Sequence, residues 1–200
     1  MVDSNCLSEK DAVFSFEAVA DMRHTAGAEY QSSQYFLGAC QAIRDVGKGS
    51  FMISPGDVDP PQEVYDTIKK VLGYEYPWYP VAGNHETETP EDMVWLRNWA
   101  QKGIANLVRS GPENGEQTTY SFDFKNAHFV AINQYYDGNS DIGCDGDVAD
   151  ALYEWLKNDL ELNTKPMVFV MGHEPMVAMP DSDSGRVRHV GDSLDAHPEN

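Results

Sequence analysis

An α/β layered domain is the fold class this sequence predicts, and three observations predict it. Short β-prone runs alternate with stretches of helical apolar period. Several of those runs stop at Gly or Asp followed by polar residues, the pattern of strands that deliver side chains to one edge of a sheet. Two later runs, Thr118 to Phe124 and Ala127 to Gln134, are separated only by Lys125-Asn126 and read as an antiparallel hairpin, so the sheet is not purely parallel.

Taken in order, Met1 to Asp11 is a polar lead-in, and the domain is expected over residues 12–200. Val13 to Ala20 alternates as a first strand, with Asp21 at its end and a loop from Met22 to Gly27. Tyr35, Phe36, Ala39, Ile43 and Val46 give an amphipathic helix from Ser32 to Val46, stopped by Gly47 and Gly49. Ser50 to Ser54 forms a second strand ending at Pro55-Gly56-Asp57. Pro60-Pro61 then opens a helix through Leu72, since Pro is tolerated in a first turn, and Gly73 stops it. A third run carries Trp78, Tyr79 and Val81 and breaks at the turn Gly83-Asn84-His85-Glu86. Thr89-Pro90-Glu91-Asp92 announces a helix bearing Met93, Leu96 and Trp99, followed by a loop from about Ser110 to Gln117. Beyond the hairpin, the Gly- and Asp-rich stretch Asp137 to Asp147 is weakly suggestive of calcium, lacks the ordered ligand spacing of a calcium loop, and reads as solvated. A helix with Leu152, Trp155, Leu156 and Leu160 leads to a last strand, Pro166 to Met171, ending at Gly172-His173. From Met179 to Asn200 the chain is polar and irregular.

Two hundred residues without repeats fit one domain with a sizeable core. The formal net charge of −19 opposes nonspecific binding to nucleic acid or an anionic membrane. An anionic substrate would approach against repulsion, so a phosphate site here needs local positive charge of the kind bound metals supply. Cys6, Cys40 and Cys144 are too scattered for a disulfide framework or a zinc ribbon and read as free thiols without catalytic role. The sequence shows neither a membrane-length apolar segment nor the basic-then-apolar order of a signal peptide, which makes a cytoplasmic location the default expectation.

The chemistry is expected where the runs end. Asp21, Asp57, Asn84 and His173 each follow a separate strand-like run, and together they form a mixed oxygen and nitrogen donor set suited to Zn, Mn or Fe. Asp57 is the candidate bridge, because one carboxylate can span two ions about 4 Å apart. His128, in a strand pattern, reads as packed, and Trp78, Tyr135 and Tyr136 read as core. A nicotinamide- or flavin-binding domain is disfavoured, since no Gly-rich fingerprint follows the first strand.

With Gly56-Asp57, Gly83-Asn84-His85-Glu86, Gly172-His173-Glu174-Pro175 and the hairpin around Tyr120-Ser121-Phe122-Asp123-Phe124 in this order, the chain resembles the calcineurin-like metallophosphoesterase superfamily over about residues 13–200. The resemblance implies a four-layer α-β-β-α sandwich of two mixed sheets flanked by helices. It implies two divalent or trivalent ions (Mn, Fe or Zn), held by Asp21, Asp57, Asn84 and His173, with a metal-bound hydroxide attacking a small phosphate-ester substrate and His85 facing that substrate. A non-catalytic metal-binding or interaction module on the same fold is the alternative.

Three positions depart from the family pattern. The first block reads Asp21-Met22-Arg23, with Arg where the family has His; His24 is an adjacent substitute donor, and Arg23 is open to two roles, a donor to phosphate or a salt-bridge partner. Pro60 stands where a second Asp is usual. The sequence shows no Gly-His-x-His block before Asn200, so an incomplete ligand set is expected, with His189 and His197 reading as surface residues.

Overall fold

The computed structural model describes residues 13–24, 31–144 and 146–175. The lead-in, residues 25–27 of the first loop, Cys6, His189, His197 and the stretch from Met179 lie outside them.

Within those residues the elements run β1 (Glu17–Ala18), α1 (Ser32–Val46), β2 (Met52–Pro55), α2 (Pro61–Leu72), β3 (Trp78–Val81), α3 (Asn84–Glu88), α4 (Pro90–Gln101), β4 (Leu107–Ser110), β5 (Tyr120–Phe124), β6 (Ala127–Ala131), α5 (Asp150–Leu162) and β7 (Met167–Met171). They build two sheets. The first has the order β1-β2-β3, all parallel, and the second the order β4-β5-β6-β7, antiparallel except between β6 and β7. The architecture is thus mixed α/β, consistent with the layered sandwich that the resemblance implied.

Strand alternation explains the layering. Ile53, Tyr79 and Val81 of the first sheet meet Tyr120, Phe122, Phe129 and Ala131 of the second, which places the central core between the sheets. Their neighbours Met52 and Trp78 face the other way, onto Phe36 and Cys40 of α1 and Val64, Ile68 and Leu72 of α2. On the far side Val130 packs with Leu152 of α5. The central core is strongly aromatic: Tyr79 stacks on Phe122 with centroids 3.6 Å apart, and Phe51 meets Phe122 and Phe129 edge-on at 5.6 and 5.2 Å. Each such ring removed from water is worth about 1.5–3 kcal/mol before packing geometry is counted.

Several boundaries differ from expectation. The first strand shrinks to Glu17–Ala18, because β1 is an edge and pairs only where Met52 and Ile53 lie opposite. The turn at Asn84 is the five-residue helix α3, and Leu107–Ser110, expected to fall between helix and loop, is the edge strand β4, whose residues are largely exposed and so lack an alternating signal. In α5 Leu160 is 37 % exposed, and only Leu152 and Asp159 are buried. The loop after β6 is less solvated than its composition suggests. Asp141 is buried in a forked ion pair with Arg97 of α4 (2.8 and 2.6 Å), and its carbonyl accepts from the buried Asn133 amide. Asp137 accepts the backbone N–H groups of Asn139 and Ser140, an Asx turn. Those carboxylates are thus engaged by the protein itself.

Candidate metal centre and catalytic cleft

Strands β1, β2 and β3 run parallel, so the residues following each reach the same sheet edge, and β7 of the second sheet ends beside them. After β2 the chain turns through Gly56 (φ 85°) into Asp57, itself left-handed at φ 53°. Gly56 is required there for space as well: a Cβ would stand 2.4 Å from the His173 ring. Gly83 after β3 has a similar constraint, since a Cβ would lie 2.4 Å from Asp57 Oδ1. The two glycines let three loops close on one carboxylate.

That carboxylate, buried, is the hub. Asp57 Oδ1 lies 3.4 Å from His173 Nε2 and accepts the His85 backbone N–H at 3.3 Å, while Oδ2 lies 3.7 Å from His85 Nε2. Asn84 Oδ1 is 3.2 Å from the same His173 Nε2. The ring's other nitrogen, Nδ1, lies 2.9 Å from the carbonyl of Pro55, which can only accept. Nδ1 therefore carries the hydrogen, and in the neutral ring Nε2 presents a lone pair to two oxygens that also act as acceptors. In that tautomer three acceptors face one another, a conflict that either a proton on Nε2 or a cation among them would relieve. A metal ion is such a cation, and orientation of a ligating imidazole by a carbonyl on its far nitrogen is the usual arrangement at metal sites.

Burial holds the Asp57 carboxyl above the ordinary carboxylate range; His173 and His85 pull it down, and Asp21 pushes it further up. Asp21, at the end of β1 with φ 57°, is exposed and donates its N–H to Gly56 O at 3.2 Å. The structure thus brings together Asp57, Asn84, His85 and His173 in contact, with Asp21 acting on them through space. Among the described residues no three acidic, His or Cys side chains close on a single point; the contacting donor set is carboxylate, amide and imidazole. Its chemistry fits a divalent ion of borderline softness.

Arg23 and His24 lie differently. Arg23 Nε donates to Asp59 Oδ1 at 2.9 Å, the salt bridge that was one of its two expected roles. His24 Nδ1 sits 3.0 Å from Glu63 Oε2 of α2, and its ring packs beside Phe36. The structure does not bring His24 into the cluster, because its backbone N–H is held by Asp59 O and its ring turns towards the helices. His85, with its side chain 27 % exposed, places Nδ1 3.2 Å from Glu88 and so stands at the mouth of the cleft.

Residues that sequence reasoning left without a role support this shell. Glu86, fully buried, accepts N–H groups from Asp57, Val58 and Gly83 at 3.0, 2.7 and 2.7 Å. Burial pushes its carboxyl up to about 7 against the pull of the Gly83 bond. Its signal was available: Glu three residues after Gly83 is a capping-box spacing. Gln134 clamps the loop after β7, its Oε1 accepting the Glu174 N–H at 2.8 Å, and Tyr135 donates to the Glu174 carboxylate at 2.5 Å. Those two carry no local signal.

The family model for calcineurin-like phosphoesterases matches residues 23–197. The chain belongs to that family. A search among curated proteins returns no match. Family membership supports metal-dependent hydrolysis of phosphoesters in general, and the cluster at Asp57 lies inside the matched stretch.

Proposed function

We propose that the chain hydrolyses small phosphate esters at a dinuclear metal centre. The observation that carries this reading is the confrontation of His173 Nε2 with Asn84 Oδ1 and Asp57 Oδ1, three acceptors at 3.2–3.4 Å. Asp57, with one oxygen towards His173 and the other towards His85, would be shared between the ions, and Asn84, His173 and Asp21 would be the further ligands. When bound, the ions supply positive charge that neutralises the phosphate oxygens and acidifies a water for attack on phosphorus. His85 donates a proton to the leaving alkoxide from the mouth of the cleft, where its ring is oriented by Glu88. The chain's net charge of −19 disfavours nucleic acid or an anionic membrane as partner, in keeping with a small ester as the proposed substrate class.

A second reading, a metal-binding module without turnover, is favoured by one observation. Arg23 stands where the family has His and offers no lone pair to a metal, and its Nε is held by Asp59 at 2.9 Å. The experiment is a titration with Mn, Zn and Fe, followed by assay of an aryl phosphate monoester and a bis-aryl diester. Uptake of two ions with turnover is the expected result. Uptake without turnover establishes the second reading, and no uptake of any of the three overturns both.

A further inference from the structure

We propose that Glu86 is a positioning residue whose carboxylate fixes the Asp57 side chain for metal binding before any ion arrives. The inference rests on the phosphoesterase reading of the site.

Ordinary helix capping accounts for only one of the bonds Glu86 accepts, that from Gly83, three residues before it. The other two come from Asp57 and Val58, 29 and 28 residues away on the loop after β2. One buried carboxylate therefore ties the loop after β2 to the loop after β3, and the tie falls on the residue whose side chain is the hub of the cluster. Asp57 also needs such a tie. Its backbone is left-handed (φ 53°), a conformation that is strained for a non-glycine residue and persists only where its surroundings enforce it. Gly83 closes the other side, its missing Cβ leaving room for Asp57 Oδ1.

The chemistry requires a carboxylate. Three N–H groups converge on its two oxygens, which both carry lone pairs that can accept them. The amide of Gln has a single oxygen, and its NH₂ would face at least one N–H with nothing to accept it. Glu86→Gln therefore keeps the shape and removes the clamp.

The test is a Mn(II) titration of the full chain by calorimetry, with amide hydrogen exchange measured in the metal-free protein. Glu86→Gln is expected to weaken Mn(II) binding by about 10–100-fold, the range for partners that orient a ligand. It should speed exchange of the Asp57, Val58 and Gly83 amides at least about tenfold relative to the wild type. Asp159→Asn is the control, a buried carboxylate lost from the outer face of the second sheet; it should leave Mn(II) affinity within about twofold however far it lowers Tm. Equal Mn(II) affinity in Glu86→Gln and the wild type, or a loss no greater than that in Asp159→Asn, overturns the proposal. If the wild type takes up no Mn(II), the functional reading fails, and positioning for metal fails with it. Should Glu86→Gln not fold, the wild type decides: exchange at those three amides as fast as in exposed turns is fatal to the clamp.

Discussion

Two clusters of histidine and carboxylate, one on the outer face of the second sheet and one at the strand ends around Asp57, differ in how their hydrogen-bonding is completed. On the outer face of the second sheet, His128 is held between Asp123 (2.8 Å) and Asp159 (2.7 Å), while Asp159 also accepts from Ser121 and pairs with Arg109 at 3.3 Å. Every carboxylate there faces a donor supplied by the protein. At the cleft, His173 spends its hydrogen on Pro55 O and meets Asn84 and Asp57 acceptor to acceptor. The comparison separates two uses of the same side chains: a cluster rich in its own donors locks α5 to the sheet, whereas the one at Asp57, on the function proposed above, would take a cation.

The largest expected effect sharpens this contrast within the cleft itself. His85→Asn should lower kcat by roughly 10²–10⁴-fold with metal uptake retained, because it removes a proton donor and no ligand. Asp57→Asn should reduce metal affinity and turnover together, since a neutral amide spans two cations poorly. Metal titration alongside steady-state kinetics distinguishes them, and equal metal loss in both would merge ligand and catalyst.

Breaking the other cluster should act on stability alone. Asp159→Asn takes the buried carboxylate away from Arg109, Ser121 and the His128 ring and is expected to cost about 3–5 kcal/mol in denaturant unfolding. Turnover per folded molecule should stay at the wild-type level; a loss of activity there would undo the division between the clusters.

Saturating metal should next stabilise the wild type and Asp159→Asn by the same increment, about 2.7 kcal/mol at a hundred times the dissociation constant, and Asp57→Asn by much less. Melts with and without Mn(II) measure it. The smallest effect concerns pH. Burial raises the Asp92 carboxyl to about 6, with Asp59 and Glu91 adding to the shift. A carboxyl whose pKa is higher folded than unfolded stabilises the fold below its unfolded value, and that contribution is lost as pH rises through the folded value. Metal-free protein should therefore lose stability between about pH 4 and 6. Asp92→Asn should flatten that slope and gain at most about 1 kcal/mol at pH 7 after solvent screening. An unchanged slope would remove Asp92 from the account.

The sequence by itself determined the local features. Helices α1 and α2 were legible to the residue, because apolar period, first-turn Pro and terminal Gly act within a few residues of one another. The ends of β2, β3 and β7 were legible too, and with them Asp57, Asn84 and His173, since a β-prone run broken by Gly announces a strand's edge. What only the tertiary structure decided were relations between distant segments. That Glu86 binds the backbone at Asp57, that Arg23 turns to Asp59 and His24 to Glu63, and that Gln134 holds Glu174 depend on which loops the aromatic core brings side by side. A side chain's partner is chosen by proximity in space, and spacing along the chain carries no record of it across 28 to 40 residues. The bounds of β1 and the existence of β4 escaped for a related reason: among the described residues each of these short edge strands pairs with a single neighbour, which sets where it begins and ends.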